Sequence, residues 1–476
     1  MRLRGARRLC ALPAALAVAL TAPAPALAHG LGSRADLPMP AWLFGWAAAV
    51  VLIVSFVALA VLWTRPLLES ARWRPLPGGL GRVLASRAVD IACGLAGVLI
   101  LLLTIWSGAA GNQMTSENFA PTFAYVIFWV GLVPVSVVFG DVFRAINPWR
   151  AAGRAIAWVA SKAADERLEA PLPYPERLGR WPAVVGLLAF TWLELAAQDG
   201  DLPRNVALAS LVYTVITGVG MGLYGVEAWT NRGEAFSVYF NLFSRISPFE
   251  RRGDEVGLRP PLTGLTQLDM SPPGSIALVA VMIGGVSFDG AAEGPVWAAA
   301  IPALTSALKS LGLGPGAAAE VASTVGLLVT VLVVYGLYRL GTAGARSVGG
   351  SLSADRLAHA FAHSLVPIAL VYVMAHYLTL LLFQGQAIAP LAADPLGRGS
   401  DAAATIDYEL IGATAVWYVQ VAMVVVGHVA ALSLAHDRAL VGYDRPQLAV
   451  RSQYWLLAVM VAFTSIALWL LSQANA

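Results

Sequence analysis

The stretch "LAHAFAHSLVPIALVYVMAHYLTLLLFQGQ", residues 357–386, decides how the chain is read. It is long and apolar enough to cross a bilayer, which takes about 20 residues for a core of ~30 Å. Yet it holds three of the six histidines in the sequence, His359, His363 and His376. Ionisable side chains in a spanning segment are costly and normally face the bundle interior, so each is a functional-site hypothesis.

Composition supports the membrane reading. Hydrophobic residues make up 58% of the chain and charged residues 12%, and the mean hydropathy is +0.70. A soluble chain of 476 residues needs more charge to cover its surface. The fold class expected is therefore all-α, a polytopic transmembrane helix bundle with a single domain over residues 29–476. Apolar runs near 42–63, 89–108, 123–140, 181–197, 206–226, 274–288, 319–340, 357–383, 412–434 and 453–471 predict about ten spans. The sixth is short and ends at Gly284-Gly285, which suggests a broken or re-entrant segment.

Residues 1–28 have the form of a cleavable signal peptide. Arg2, Arg4, Arg7 and Arg8 precede an apolar stretch, and Ala26-Leu27-Ala28 closes it. Cleavage after Ala28 makes His29 the mature N-terminus, on the extracytoplasmic side; the alternative is an uncleaved signal anchor. With that orientation, 23 lysines and arginines fall in cytoplasmic loops and four fall outside (Arg34, Arg204, Lys309 and Arg398). The positive-inside rule fits this arrangement. It also accounts for the basic residues, leaving nothing that points to nucleic acid. Cys10 lies in the signal and Cys93 stands alone, which excludes a disulfide framework.

Two loop segments have helical patterning. In "FRAINPWRAAGRAIAWVASKA" (143–163), Asn147 is an N-cap candidate and Pro148 the first helical residue. "FSVYFNLFSRISPFERR" (236–252) sets Phe236, Tyr239, Phe240 and Phe243 on one stripe. Both read as helices lying in the inner membrane interface. The echo of Ile146-Asn147-Pro148 by Ile246-Ser247-Pro248 reads as two independent helix starts; a duplicated half is the alternative. Residues 288–318 and 384–411 read as outer loops.

The histidines divide into two places. His359 and His363, four apart, share a helical face. His376 follows His363 at a rise of roughly 20 Å. His428 and His363 each lie about six residues from the inner end of their apolar runs, which predicts matched depths. His359, His363 and His428 thus have the ligand types for a divalent transition metal, zinc or copper. A haem between His363 and His428 is the weaker reading, because span nine lacks a second matching histidine. His29 at a free amino terminus adds a copper-chelating pattern. Near the outer ends of spans, Glu194, Asp289 and Glu293 are the carboxylates that could act with His376, binding a metal or activating water. No Walker loop, GxSxG elbow, HExxH or CxxC pair occurs.

Several stretches together carry a resemblance. "AHGLGSRADLPMPAWLFGWAAAVVLIVSFVALAVLW", "FGDVFRAINPWRA", "EAWTNRGEAFSVYF", "FAHSLVPIALVYVMAHYLTLLLFQGQ", "GHVAALSLAHDRAL" and "RSQYWLLAVMVAFTSIALWLLSQAN" make the chain similar to a family of bacterial integral membrane proteins catalogued as fenitrothion hydrolase, a membrane-bound organophosphorus hydrolase. The resemblance runs from His29 to the C-terminus. It implies a multi-pass protein of the bacterial cytoplasmic membrane that hydrolyses a hydrophobic phosphotriester with loss of a nitrophenolate. It assigns no residue role. Two other classes stay open from the residues alone: a copper-handling or small-molecule transport protein, and a haem-binding redox protein.

The charge asymmetry generates a direct test. Single cysteines introduced at Ser161 and Ser400 are predicted to react with an impermeant maleimide from opposite sides of the membrane. Labelling from the same side would contradict the topology.

Overall fold

The computed structural model describes residues 41–69, 72–166, 169–349, 352–399, 405–443 and 445–474. The proposed signal segment and His29 lie outside them. The chain is a polytopic helical membrane bundle. Among the described residues nine helices are long and apolar enough to cross a membrane. Numbered in chain order, the helices that matter here are α1 (Ala41–Leu62), α2 (Arg87–Ala110), α3 (Phe119–Phe139), α4 (Pro148–Ala163), α5 (Trp181–Leu195), α6 (Pro203–Tyr224) and α7 (Ala235–Ser244). They continue as α8 (Ser275–Ala292), α9 (Pro295–Ser310), α10 (Pro315–Ser347), α11 (Ala354–His376), α12 (Leu378–Ala393), α13 (Ala413–Gly442) and α14 (Pro446–Ala474). The difference from ten spans is α5, an apolar helix of only 15 residues. Exposed apolar side chains such as Leu99, Val215 and Leu332 form the lipid-facing belt.

Helix α8 is the axis of the bundle. Fifteen of its 18 residues are buried, and it lies against α5, α10 and α11. The expected break at Gly284-Gly285 is absent, because the helix is continuous. A Cβ at Gly284 would stand 2.7 Å from Val331 Cα of α10, and one at Gly285 would stand 2.8 Å from Thr191 of α5. The pair is a notch for two neighbouring helices.

Two loop expectations are corrected. The 236–252 segment is not interfacial: eight of the 10 residues of α7 are buried in the core. Its continuation is a hairpin, β2 (Phe249–Arg252) with β3 (Glu255–Leu258), and β1 (Arg74–Pro75) pairs with the other side of β3. Ser247-Pro248 therefore leads into a strand, whereas Asn147-Pro148 does start α4, with the Asn147 side chain accepting from Arg150 N at 2.9 Å. The outer loops are also more ordered than the Gly/Pro content suggested, since 295–310 and much of 384–393 are helical.

Buried carboxylates lock the bundle. Glu234, 1% exposed, caps α7 through Phe236 N (2.9 Å) and Ser237 N (2.8 Å). It also accepts from Asn147 of α4 (3.0 Å) and from the Tyr213 hydroxyl of α6. Asp437, fully buried on α13, holds the segment after α1: it accepts from Trp63 Nε1 (2.9 Å), Leu67 N (2.6 Å) and Leu68 N (3.1 Å). His436 beside it donates Nε2–H to the Trp63 carbonyl at 2.9 Å.

Asp437→Ala leaves those three donors without their acceptor, which is expected to cost about 2–5 kcal/mol. Trp63→Phe removes one donor only and is expected to cost about 1 kcal/mol. Thermal unfolding of the purified protein in detergent checks the ranking, and equal stability of Asp437→Ala and wild type would contradict it.

Candidate buried acid–base site

Five elements converge near the end of the bundle opposite the arginine-rich loops. Helix α5 brings Glu194 one residue before its end, and α8 brings Asp289 three residues before its own. Helix α11 ends at His376, and Tyr377 forms the break before α12. Helix α3 contributes Trp129 from a π-helical segment, Thr122–Gly131, a form of backbone that is frequent at functional sites. Helix α7 contributes Tyr239.

Asp289, 8% exposed, is the centre. Its Oδ2 accepts from His376 Nε2 at 2.9 Å and from the Tyr377 hydroxyl at 2.7 Å. Nε2 therefore carries the proton when Asp289 is ionised, which leaves Nδ1 as the basic nitrogen. The His376 and Tyr377 rings meet edge to face, 4.7 Å between centroids, and the Trp129 ring lies 4.9 Å from Tyr377 on another side. Glu194 stands within electrostatic reach of Asp289, Tyr125, Tyr239 and Tyr377. Glu194 Oε2 is buried without a hydrogen-bond partner, and the buried Tyr239 hydroxyl pairs with Trp129. Native interiors rarely leave a carboxylate oxygen unsatisfied, and Glu194 marks a polar site in otherwise apolar surroundings. Two carboxylates, an imidazole and two phenols form a set that can accept, hold and pass protons.

The structure thus brings together Glu194, Asp289 and His376. Glu293, at the C-cap of α8, is exposed. The inner histidines are placed differently from the sequence expectation. His359 is half-buried and donates Nδ1–H to the Asp355 carbonyl at 2.8 Å. His363 and His428 are buried, each with Nε2 lacking a partner, and His428 donates Nδ1–H to the Val424 carbonyl at 2.7 Å. They are not at matched depth. Gly427 of α13 abuts Val371 of α11, and Gln420 donates to the Ala375 carbonyl at 2.8 Å. That antiparallel register sets His428 level with residue 370 or so, roughly 10 Å along the axis from His363. The reason is that α13 continues to Gly442, well beyond its apolar run. Among the described residues, no three His, Cys, Asp or Glu side chains form a group that could hold a metal ion. Among the described residues, His363 and His428 are therefore not set at one depth as ligands of a shared haem.

Sequence reasoning missed Trp129 and Tyr239. An aromatic in an apolar helix reads as core, and only the fold reveals that Tyr239 pairs with Trp129 within electrostatic reach of Glu194. It also missed a cavity of about 850 Å³ bounded by α2, α3, α5, α6 and α7. None of Glu194, Asp289 and His376 lines it. Phe190 joins the two places: it lines the cavity, and its ring lies 5.4 Å from that of Trp129.

Comparison of the chain with protein-family models, with curated proteins and with solved structures gives no match.

Proposed function

We propose that this protein is an integral membrane hydrolase of an apolar phosphotriester, with His376 as general base and Asp289 as its orienting carboxylate. The observation that carries the reading is the Asp289 carboxylate, buried in the bundle and accepting from both His376 Nε2 and Tyr377. The fenitrothion-hydrolase resemblance supplies the reaction type. In the step envisaged, His376 Nδ1 takes a proton from water as the water oxygen bonds to phosphorus. The phosphorus–aryloxy bond breaks, and the nitrophenolate leaves with the electron pair. Asp289 stabilises the imidazolium formed, and Tyr377 keeps the carboxylate in place. Glu194 is the second proton acceptor of the site.

A second reading, proton-coupled movement of a small molecule, draws on the separation of the cavity from the acidic cluster. It requires that substrate cross the membrane chemically unchanged.

Nitrophenolate release from a dialkyl nitrophenyl phosphate by the purified full-length protein separates these readings. His376→Ala is expected to lower turnover by about 10²–10⁴-fold while the protein still inserts and elutes as wild type. Asp289→Asn should lower it by about tenfold or more, and His363→Ala should leave it intact at some cost in stability. Full turnover in His376→Ala, or its loss in His363→Ala alone, would sink the assignment. Uptake of intact ester into vesicles without release would favour transport.

A further inference from the structure

Helices α5 and α6 follow one another in the chain but do not form a tight antiparallel pair. Helix α5 packs on α8 and α7, whereas α6 packs on α2. The cavity of about 850 Å³ occupies the gap between them. Trp181 and Val185 of α5, with Val212 and Ile216 of α6, line that cavity and are 47–64% exposed. All four are apolar, and they sit in the lipid-facing belt. A gap with such rims opens sideways into the bilayer.

The walls define what fits. No Asp, Glu, Lys, Arg or His lines the cavity, so a charged group would enter without a partner, at a large desolvation cost. Four of the five hydroxyls in the lining are already engaged as donors: Thr104 to the Ile100 carbonyl (2.8 Å), Ser210 to Val206 (2.8 Å), Tyr125 to Gly200 (2.8 Å) and Tyr213 to Glu234. The remaining surface is dominated by rings, among them Phe123, Phe128, Trp149, Phe190 and Phe236. Ring walls favour a ring-bearing guest through edge-to-face and offset contacts. The volume is that of a drug-sized ligand site.

We propose that this cavity is a binding site for a neutral, aryl-bearing small molecule that passes into it from the bilayer between α5 and α6. The inference concerns what is bound and by which route, and it stands whether or not Asp289 and His376 carry out hydrolysis. A phospholipid is disfavoured because its charged headgroup finds no partner in the walls.

The test is photolabelling of the full chain in lipid nanodiscs with a neutral aryl diazirine, mapped by peptide mass spectrometry. Label is expected on cavity residues of α5, α6 and α7, displaced at least tenfold by excess biphenyl. Label at lipid-facing Leu332 serves as the internal reference and should persist. A carboxylated analogue of the probe should leave the cavity unlabelled. Ala189→Phe on α5 and Ala209→Phe on α6, which fill the cavity from opposite walls, should each lower interior labelling at least tenfold with the Leu332 label unchanged. Label confined to lipid-facing positions, interior label that biphenyl does not displace, or a phospholipid retained in the cavity by native mass spectrometry would overturn the proposal. The competition in wild-type protein decides the matter even where a variant fails to fold.

Discussion

A carboxylate withdrawn from water into a bilayer-spanning bundle must gather its donors from the protein, because lipid offers none. Much of this architecture follows from that constraint. Glu234 fixes α7 against α4 and α6, so a helix of only ten residues can be buried in the core. Asp437 fixes the end of α1 against α13. Asp289 fixes α8 against the junction of α11 and α12. Removing any of the three would leave donors stranded in an apolar interior.

The three carboxylates differ in what they hold, and the difference separates scaffold from chemistry. Glu234 and Asp437 each take two backbone amides, together with Asn147 and Tyr213 in one case and Trp63 in the other. Backbone amides and an indole do not exchange their role with pH; they are fixed donors. Asp289 takes no backbone amide among these bonds; its donors are an imidazole and a phenol, and a second carboxylate stands close by. Its surroundings include Glu194 Oε2, buried without a hydrogen-bond partner. A structural staple has no use for such a set, whereas a proton-handling centre does.

Much of this was legible in the sequence, for identifiable reasons. Apolar runs and the basic-residue asymmetry are summed over many residues, so fold class and span positions survive local errors. Glu194, Asp289 and His376 stood out because ionisable residues in apolar helices are rare. Depth was harder to read. The apolar run of α13 stops near Leu434, but His436 and Asp437 are themselves buried and continue the helix to Gly442. Counting from the end of the hydrophobic run therefore misplaced His428 against His363. Pro148 and Pro248 look alike in sequence, yet one starts a helix and the other precedes a strand, because β3 is available to pair with β2. The cavity between α5 and α6 left no trace in the pattern, since lipid-facing and cavity-facing apolar residues are chemically the same.

Asp289 holds His376 through Nε2, an arrangement that leaves Nδ1 free for chemistry. Nitrogen-15 NMR of histidine-labelled protein at neutral pH tests it most directly, with His376 assigned by the signal lost in His376→Gln. A protonated Nε2 at His376 is expected in the wild type, with an altered resonance in Asp289→Asn. A neutral His376 protonated at Nδ1, with a spectrum indifferent to Asp289→Asn, would contradict it.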